Sequence, residues 1–170
     1  MNLAEMIRDV PDFPVKGILF KDISTLIKNP DAFQGAVDAL LDRCIDKDID
    51  LVAAIEARGF IFGAALAYEL SAGFVPIRKP GKLPADKISV SYTLEYGTNT
   101  LEMHRDAVEP GQRVLIVDDL LATGGSAKAA AELVEKLGGE VVGLIFLIEL
   151  GFLKGVEKLD GYDVFSLIKC

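Results

Sequence analysis

The chain has 170 residues, of which 51% are apolar and 26% charged, with 18 Lys and Arg against 26 Asp and Glu for a net charge of −8. That length and balance suit a single domain over residues 1–170 with a substantial core, and they exclude a disordered or fibrous chain. The acidity argues against a general nucleic-acid binder, and the longest apolar candidate for a membrane span, Val141 to Leu153, is broken by Glu149.

Near the start, Glu5, Arg8 and Asp9 stand where a secretory leader would carry a basic flank and an apolar run. No leader is therefore expected, and the cytoplasm is the default compartment. Leu19-Phe20-Lys21 reads by composition as a core strand with one polar residue. Asn29-Pro30 starts a helix as N-cap and first-turn proline, and Phe33, Val37, Leu40, Leu41 and Cys44 follow at helical spacing to about Lys47. Leu51 to Ile55 is a short buried strand, Phe60 to Leu70 a helix with Gly73 as its C-cap, and Phe74 to Lys79 the next strand. Residues 80–110 break the alternation. There, Ile88 to Leu94 and Thr100 to Met103 flank Tyr96-Gly97-Thr98-Asn99, the pattern of an antiparallel ribbon. Excursions of this kind are usually functional, often lids. Arg113 to Val117 is the central strand, Ala127 to Leu137 an alanine-rich helix, and Val141 to Ile148 and Asp163 to Ile168 the last two strands. Strands separated by helices imply an α/β fold with a mostly parallel central sheet flanked by helices. Ligands of such sheets bind beyond the carboxyl ends of the strands.

Three segments fall at such ends: Glu56–Gly59, Arg78–Lys82 and Asp118–Ser126. The last is the most informative. Two carboxylates, Asp118 and Asp119, follow a buried apolar run and precede Leu120-Leu121-Ala122-Thr123-Gly124-Gly125-Ser126. A glycine loop running into a helix start offers free backbone N–H groups to an anion, and Thr123 and Ser126 add hydroxyls. Carboxylates repel a phosphate at close range, so the pair serves another part of the same ligand, either sugar hydroxyls or a bridging metal ion. An isolated Asp-Asp would be an ordinary strand end. Beside this loop it implies a ribose 5-phosphate, with the phosphate on the loop and the hydroxyls on the acids. Neither Gly-x-x-x-x-Gly-Lys-Ser/Thr nor a strand followed by Gly-x-Gly-x-x-Gly occurs. Between Arg78 and Lys87, the basic residues Arg78, Lys79, Lys82 and Lys87 oppose only Asp86. Such runs are often solvated charge clusters, but Gly81 and two prolines give this one a defined shape. His104 is the only histidine, and Cys44 and Cys170 lack metal-ligand spacing. Neither a histidine-dependent triad nor a zinc cluster follows from that inventory.

The run Val114 to Ser126 resembles the phosphoribosyl-pyrophosphate (PRPP) signature of the type I phosphoribosyltransferases. Four further stretches narrow the resemblance to the adenine phosphoribosyltransferases. They are Phe13-Pro14 with Gly17 to Ile23, Glu56-Ala57-Arg58-Gly59-Phe60, Ile77 to Pro84, and Leu94-Glu95-Tyr96-Gly97. All stand in that family's order and cover the chain from about Pro11 onward. The resemblance implies the type I phosphoribosyltransferase fold, with an N-terminal base-binding hood over residues 1–28 and a flexible β-ribbon lid over residues 80–110. It implies transfer of 5-phosphoribosyl from PRPP to adenine, giving AMP and pyrophosphate, with Mg²⁺ as cofactor and a homodimer as the working form.

The resemblance also assigns roles. The amides of Ala122, Thr123, Gly124, Gly125 and Ser126 wrap the 5-phosphate, and Asp118 and Asp119 hold the ribose. Glu56, Ala57 and Arg58 form a pyrophosphate loop that typically contains a strained or cis non-proline peptide; a plain strand–helix connection is the alternative. Arg78, Lys79 and Lys82 neutralise pyrophosphate, in some relatives that of a neighbouring subunit. Glu95 is the implied proton-transfer residue, Tyr96 helps close the site, and both join Arg58 in the catalytic set. Phe20 stacks on adenine, while main-chain groups of Leu19 and Lys21 read its edge. A backbone C=O and N–H at that spacing match a 6-amino purine and leave a 6-oxo purine mismatched. Mg²⁺ arrives on PRPP without dedicated protein ligands, Asp118 or Asp119 being at most an indirect contact. Neither nucleic acid nor a membrane is an expected partner. Two competing readings remain. A 6-oxopurine enzyme would place a lysine and an aromatic near the base from a C-terminal segment, and Tyr162–Lys169 offers little of that beyond Phe165. A non-catalytic regulator on DNA would need an added module or a basic surface, and neither is visible at this length and charge.

Overall fold

The apolar runs that end in chemistry-bearing segments become neighbouring strands of one parallel sheet. In a computed structural model that describes residues 1–94 and 96–170, the chain divides into two units, Met1–Ala39 and Leu40–Cys170. In the first, β1 (Arg8–Pro11) and β2 (Leu19–Asp22) pair antiparallel, followed by the short helix α1 (Ser24–Ile27). Asp22 ties this hairpin to its neighbours. Its carboxylate accepts Arg8 Nη2 at 2.5 Å and the Ser24 N–H at 2.9 Å, and hydrogen bonds from Ser24 and Arg8 pull its pKa down to about 2.

Helix α2 covers Pro30–Cys44. Asn29 caps it, its Oδ1 accepting the Asp31 and Ala32 N–H groups at 3.1 Å each. It stops at Cys44 and not near Lys47, whose N–H turns back to the Cys44 carbonyl. The buried stripe is Ala32, Ala36, Val37, Leu40 and Cys44, whereas Phe33 and Leu41 are only half-buried. The helical period was legible: Val37, Leu40 and Cys44 are buried as expected, and Ala32 and Ala36 complete the stripe.

The second unit holds β3 (Leu51–Ile55), α3 (Gly59–Leu70), β4 (Gly73–Ile77), β5 (Lys87–Leu94), β6 (Gly97–His104), β7 (Arg113–Leu121), α4 (Gly125–Lys136), β8 (Glu140–Glu149) and β9 (Val164–Lys169). The sheet order is β4-β3-β7-β8-β9, and every neighbouring pair is parallel. The chain therefore steps one way from β3 to β4, returns to lay β7 beside β3, and continues the other way. Right-handed crossovers in opposite directions put their helices on opposite faces. The packing agrees: Gly63 of α3 lies so close to Ala54 that a Cβ would approach to 2.5 Å, while α4 packs among residues of the other face such as Ile116, Leu144 and Phe146. β5 and β6 form the antiparallel ribbon, from Lys87 opposite His104 to Leu94 opposite Gly97, and bury Val90, Leu101 and Met103 in the same core as α4.

Other sequence boundaries move as well. β7 continues past Val117 through both acids to Leu121, because β8 runs beside it as far as Glu149. α4 begins at Gly125 and not Ala127, since Gly124 at φ 90° turns the chain directly into the helix. β4 ends at Ile77, after which Arg78 exchanges main-chain hydrogen bonds with Glu102 instead of continuing the sheet. The left-handed residue closing α3 is Ser71, at φ 54°, and Gly73 opens β4. Among the described residues, no helix is long and apolar enough to cross a membrane.

Ser166 of β9 is buried opposite Phe146, and its Oγ has no hydrogen-bond partner among the described residues. An unsatisfied buried hydroxyl costs about 1–3 kcal/mol. Ser166→Ala is expected to raise the Tm by roughly 2–4 °C for each kcal/mol recovered, measured by thermal unfolding without ligand; a lower Tm would show that the hydroxyl finds a partner in solution.

Candidate active site

The order of the sheet reverses between β3 and β7, and the segments leaving their carboxyl ends face each other. Such a switch point is where open α/β sheets hold ligands. Gly59, the first residue of α3, is pressed against β7: a Cβ there would lie 2.9 Å from Asp118 Oδ1 and 3.1 Å from the Val117 carbonyl oxygen. Only glycine allows that approach, which sets Arg58 beside the acid pair. Arg58 Nε donates to Asp119 Oδ2 at 2.5 Å, from a side chain that is 48% exposed to one that is 8% exposed. The Glu56–Ala57 peptide is cis, as the resemblance implied for this loop.

The two acids differ in environment. Asp118 accepts the Asp119 N–H at 2.8 Å and is buried. Burial, and then the charge of Asp119, hold its carboxyl well above the usual range, with Arg58 opposing more weakly. Asp119 is also buried but has Arg58 as counter-ion. A carboxylate offers about four acceptor positions, so the ion pair does not exhaust it.

Beyond β7, Ala122 to Gly124 form the turn into α4. The N–H groups of the first helical turn have no intrahelical partner and lie where the helix dipole favours an anion. Two contacts shape the turn. Gly125 carries the ring of Tyr92 from β5, whose Cδ2 would be 2.7 Å from a Cβ. Gly155, which opens the 3₁₀ segment Gly155–Leu159, backs the loop so closely that a Cβ would fall 2.3 Å from the Ala122 carbonyl oxygen.

A cleft of about 440 Å³ runs across these segments. Of the residues picked out from the sequence, Glu56, Ala57, Arg58, Lys79, Asp118, Asp119, Ala122, Thr123, Gly124 and Ser126 line it. Gly125 lies behind Tyr92. Arg78 is held at the side by Glu56, whose Oε1 accepts its Nε at 3.2 Å and the Lys79 N–H at 2.7 Å. Lys82 is exposed on the turn after β4, and Tyr96, between β5 and β6, is 91% exposed. Glu95 lies outside the described residues. Leu19, Phe20 and Lys21 sit together on β2 of the first unit. There Phe13 meets the Phe20 ring edge-on at 5.2 Å, and Lys21 pairs with Asp9 across the hairpin at 2.7 Å.

Sequence reasoning missed Tyr92 and Asn99, cross-strand partners on the ribbon that both line the cleft, and Gly155 behind the glycine loop. Alternation along β5 could have suggested which ribbon face turns inward. Nothing local marks Gly155, whose role comes from a contact across many residues of chain.

Among the described residues, no three His, Cys, Asp or Glu side chains gather as a metal-ligating cluster.

The doubly wound parallel sheet carries an acid pair and a glycine turn at its switch point, and the family model for the phosphoribosyl transferase domain matches residues 24–168. The chain belongs to that family. A relative from Halothermothrix orenii, an adenine phosphoribosyltransferase, is 62% identical over 99% of both chains. The crystal structure of adenine phosphoribosyltransferase from Thermoanaerobacter pseudethanolicus superposes with a TM-score of 0.96 at 60% identity, covering 99% of this chain and 98% of that one. The Saccharomyces cerevisiae enzyme, complexed with an imino-altritol bisphosphate and adenine, gives 0.91 at 44% identity over 97% of this chain and 96% of its own.

Two outcomes follow from the packing and the charges. Because Asp118 binds its proton more tightly when folded than when unfolded, stability falls as pH rises above the ordinary Asp range. Asp118→Asn removes that loss while keeping an acceptor for the Asp119 N–H. Its Tm advantage over wild type should therefore grow as pH rises above about 4, and an advantage that shrinks would contradict the assignment. Gly155→Ala drives a methyl into backbone and should cost about 1–3 kcal/mol, read as a lower midpoint in urea with an unchanged slope.

Proposed function

We propose how this chain carries out the adenine phosphoribosyltransferase reaction, in which PRPP and adenine give AMP and pyrophosphate. The observation that carries the account is the meeting of the acid pair, the glycine turn and Arg58 along one cleft. The 5-phosphate sits on the amides of Ala122 to Ser126 at the start of α4, with the Thr123 and Ser126 hydroxyls. The ribose hydroxyls bond Asp118 and Asp119, and the high proton affinity of Asp118 limits repulsion between the two acids.

Cleavage of the C1–O bond builds positive charge on the ribose and negative charge on the departing pyrophosphate. Glu56, Ala57 and Arg58, with Arg78, Lys79 and Lys82, hold the leaving group, the cations and main-chain amides stabilising its charge. Mg²⁺ would be carried by the phosphate oxygens of the substrate, with Asp118 or Asp119 at most an indirect contact; the ion commonly keeps several waters and takes few protein ligands. When bound, the ion supplies charge neutralisation at the pyrophosphate.

Adenine is read by β2, with Phe20 stacking and the Leu19 and Lys21 main chain facing the base edge. The Phe13 and Asp9 contacts that anchor their side chains support a fixed backbone there. Glu95 takes the proton from the purine, and Tyr96 and the ribbon exclude water, which would otherwise consume PRPP. We take residues 1–170 as one catalytic domain with a base-binding hood at 1–28 and a lid at 80–110, working as a cytoplasmic homodimer without nucleic acid or membrane partners.

The test is direct. Purified protein is given PRPP and Mg²⁺ with adenine, hypoxanthine, guanine or xanthine in separate reactions, and nucleotides are separated by chromatography. AMP from adenine alone is expected. A 6-oxo nucleotide would overturn the roles of Leu19, Phe20 and Lys21 while leaving the sugar site. Asp119→Ala and Glu95→Ala should each lower kcat by about 10²–10⁴ while leaving the fold intact, as read by circular dichroism; wild-type turnover in both would remove the mechanism.

A further inference from the structure

The basic turn after β4 is gripped by carboxylates from two sides, and one of them belongs to the ribbon. From the strand-end side, Glu56 accepts Arg78 Nε and the Lys79 N–H. From the ribbon side, Glu102 of β6 exchanges main-chain hydrogen bonds with Arg78 at 3.0 and 2.7 Å. Its side chain then reaches further along the turn, where Oε1 accepts the Gly81 N–H at 3.1 Å. Its other oxygen, Oε2, accepts Ser89 Oγ on β5 at 3.0 Å. Glu102 thus holds both ends of the turn that carries Lys79 and Lys82, and both strands of the ribbon.

A negative charge beside a turn that is to receive an anion weakens the attraction, so Glu102 is ill suited to direct contact with pyrophosphate. Its bonds suit a different task. Gly81 has φ 83°, a conformation open to glycine with little strain. An acceptor on its N–H selects that one shape from those available to a glycine-containing turn. We propose that Glu102 is a positioning residue for pyrophosphate. It sets the shape of the Arg78–Lys82 turn and locks it to the ribbon, so that displacement of one displaces the other. The proposal rests on the reading of that turn as the holder of pyrophosphate.

The reverse reaction separates the ligands, because pyrophosphate and AMP have separate KM values. Loss of charge-assisted hydrogen bonds to the turn in Glu102→Ala should raise the KM for pyrophosphate about tenfold and leave the KM for AMP within about twofold. Glu102→Gln should restore most of the loss, since the amide oxygen still accepts the Gly81 N–H and the amide nitrogen can donate to Ser89 Oγ. Ser89→Ala, a change at an exposed ribbon position, should give a smaller rise in the same constant and serves if the Glu102 variants do not fold. An unchanged pyrophosphate KM in Glu102→Ala, an equal rise in both constants, or a Gln variant as impaired as Ala would overturn the proposal. Lys79→Ala and Lys82→Ala identify which idea has failed. If neither raises the pyrophosphate KM, the reading of the turn falls and this inference with it; if either does while Glu102→Ala does not, the positioning role alone falls.

Discussion

Everything at the cleft depends on how closely α3 can approach β7. Parallel strands wound in opposite directions from a common middle leave a gap between their carboxyl ends, and here that gap is closed to contact by Gly59 against Asp118. The approach brings Arg58 within hydrogen-bond distance of Asp119 and makes two segments far apart in sequence a single surface. A side chain at Gly59 would have to push aside the Asp118 carboxyl or the Val117 carbonyl, and the ion pair would separate with it. The same economy recurs behind the glycine turn, where Gly124 and Gly155 meet backbone to backbone. The segments of the cleft are therefore brought together where side chains are absent.

The charges follow from that geometry. A chain of net charge −8 pairs Arg58 of the cleft with Asp119, and Arg78 beside it with Glu56. Paired cations cost less to hold at a partly desolvated surface than lone ones. A multiply charged anion can then compete for them without the protein carrying a strong positive field when empty. Asp118 is the exception, a buried acid whose neighbour is another acid, and it is costly to ionise. Strained or destabilising groups of this kind gather where ligands bind.

Much of this was legible in the sequence, and for identifiable reasons. The sheet strands announced themselves as short apolar runs because parallel strands covered on both faces have no polar side. The acid pair and glycine turn were legible because they fall in one continuous stretch between a buried strand and a helix start. What escaped was set by contacts across the chain. Asp118 and Asp119 looked like residues beyond a strand, yet β8 runs on beside them and draws them into the sheet. The stripe of α2 was legible at Val37, Leu40 and Cys44, but it also takes in the small residues Ala32 and Ala36, which a search for large apolar side chains passes over. Tyr92 and Asn99 had only the weak alternation of the ribbon to mark them, and Gly155 no local signal at all, since it matters only through its partner in the fold.

The central claim is that one cleft divides its ligand, the glycine turn taking phosphate and the acids taking sugar. Calorimetric titration of Asp119→Asn and wild type with ribose 5-phosphate and, separately, with inorganic phosphate measures that division most directly. The account predicts a loss of about 10–100-fold for ribose 5-phosphate, the scale of a hydrogen bond to a charged group, and phosphate affinity that is unchanged or tighter. Equal losses for both ligands, or no loss for either, would contradict it.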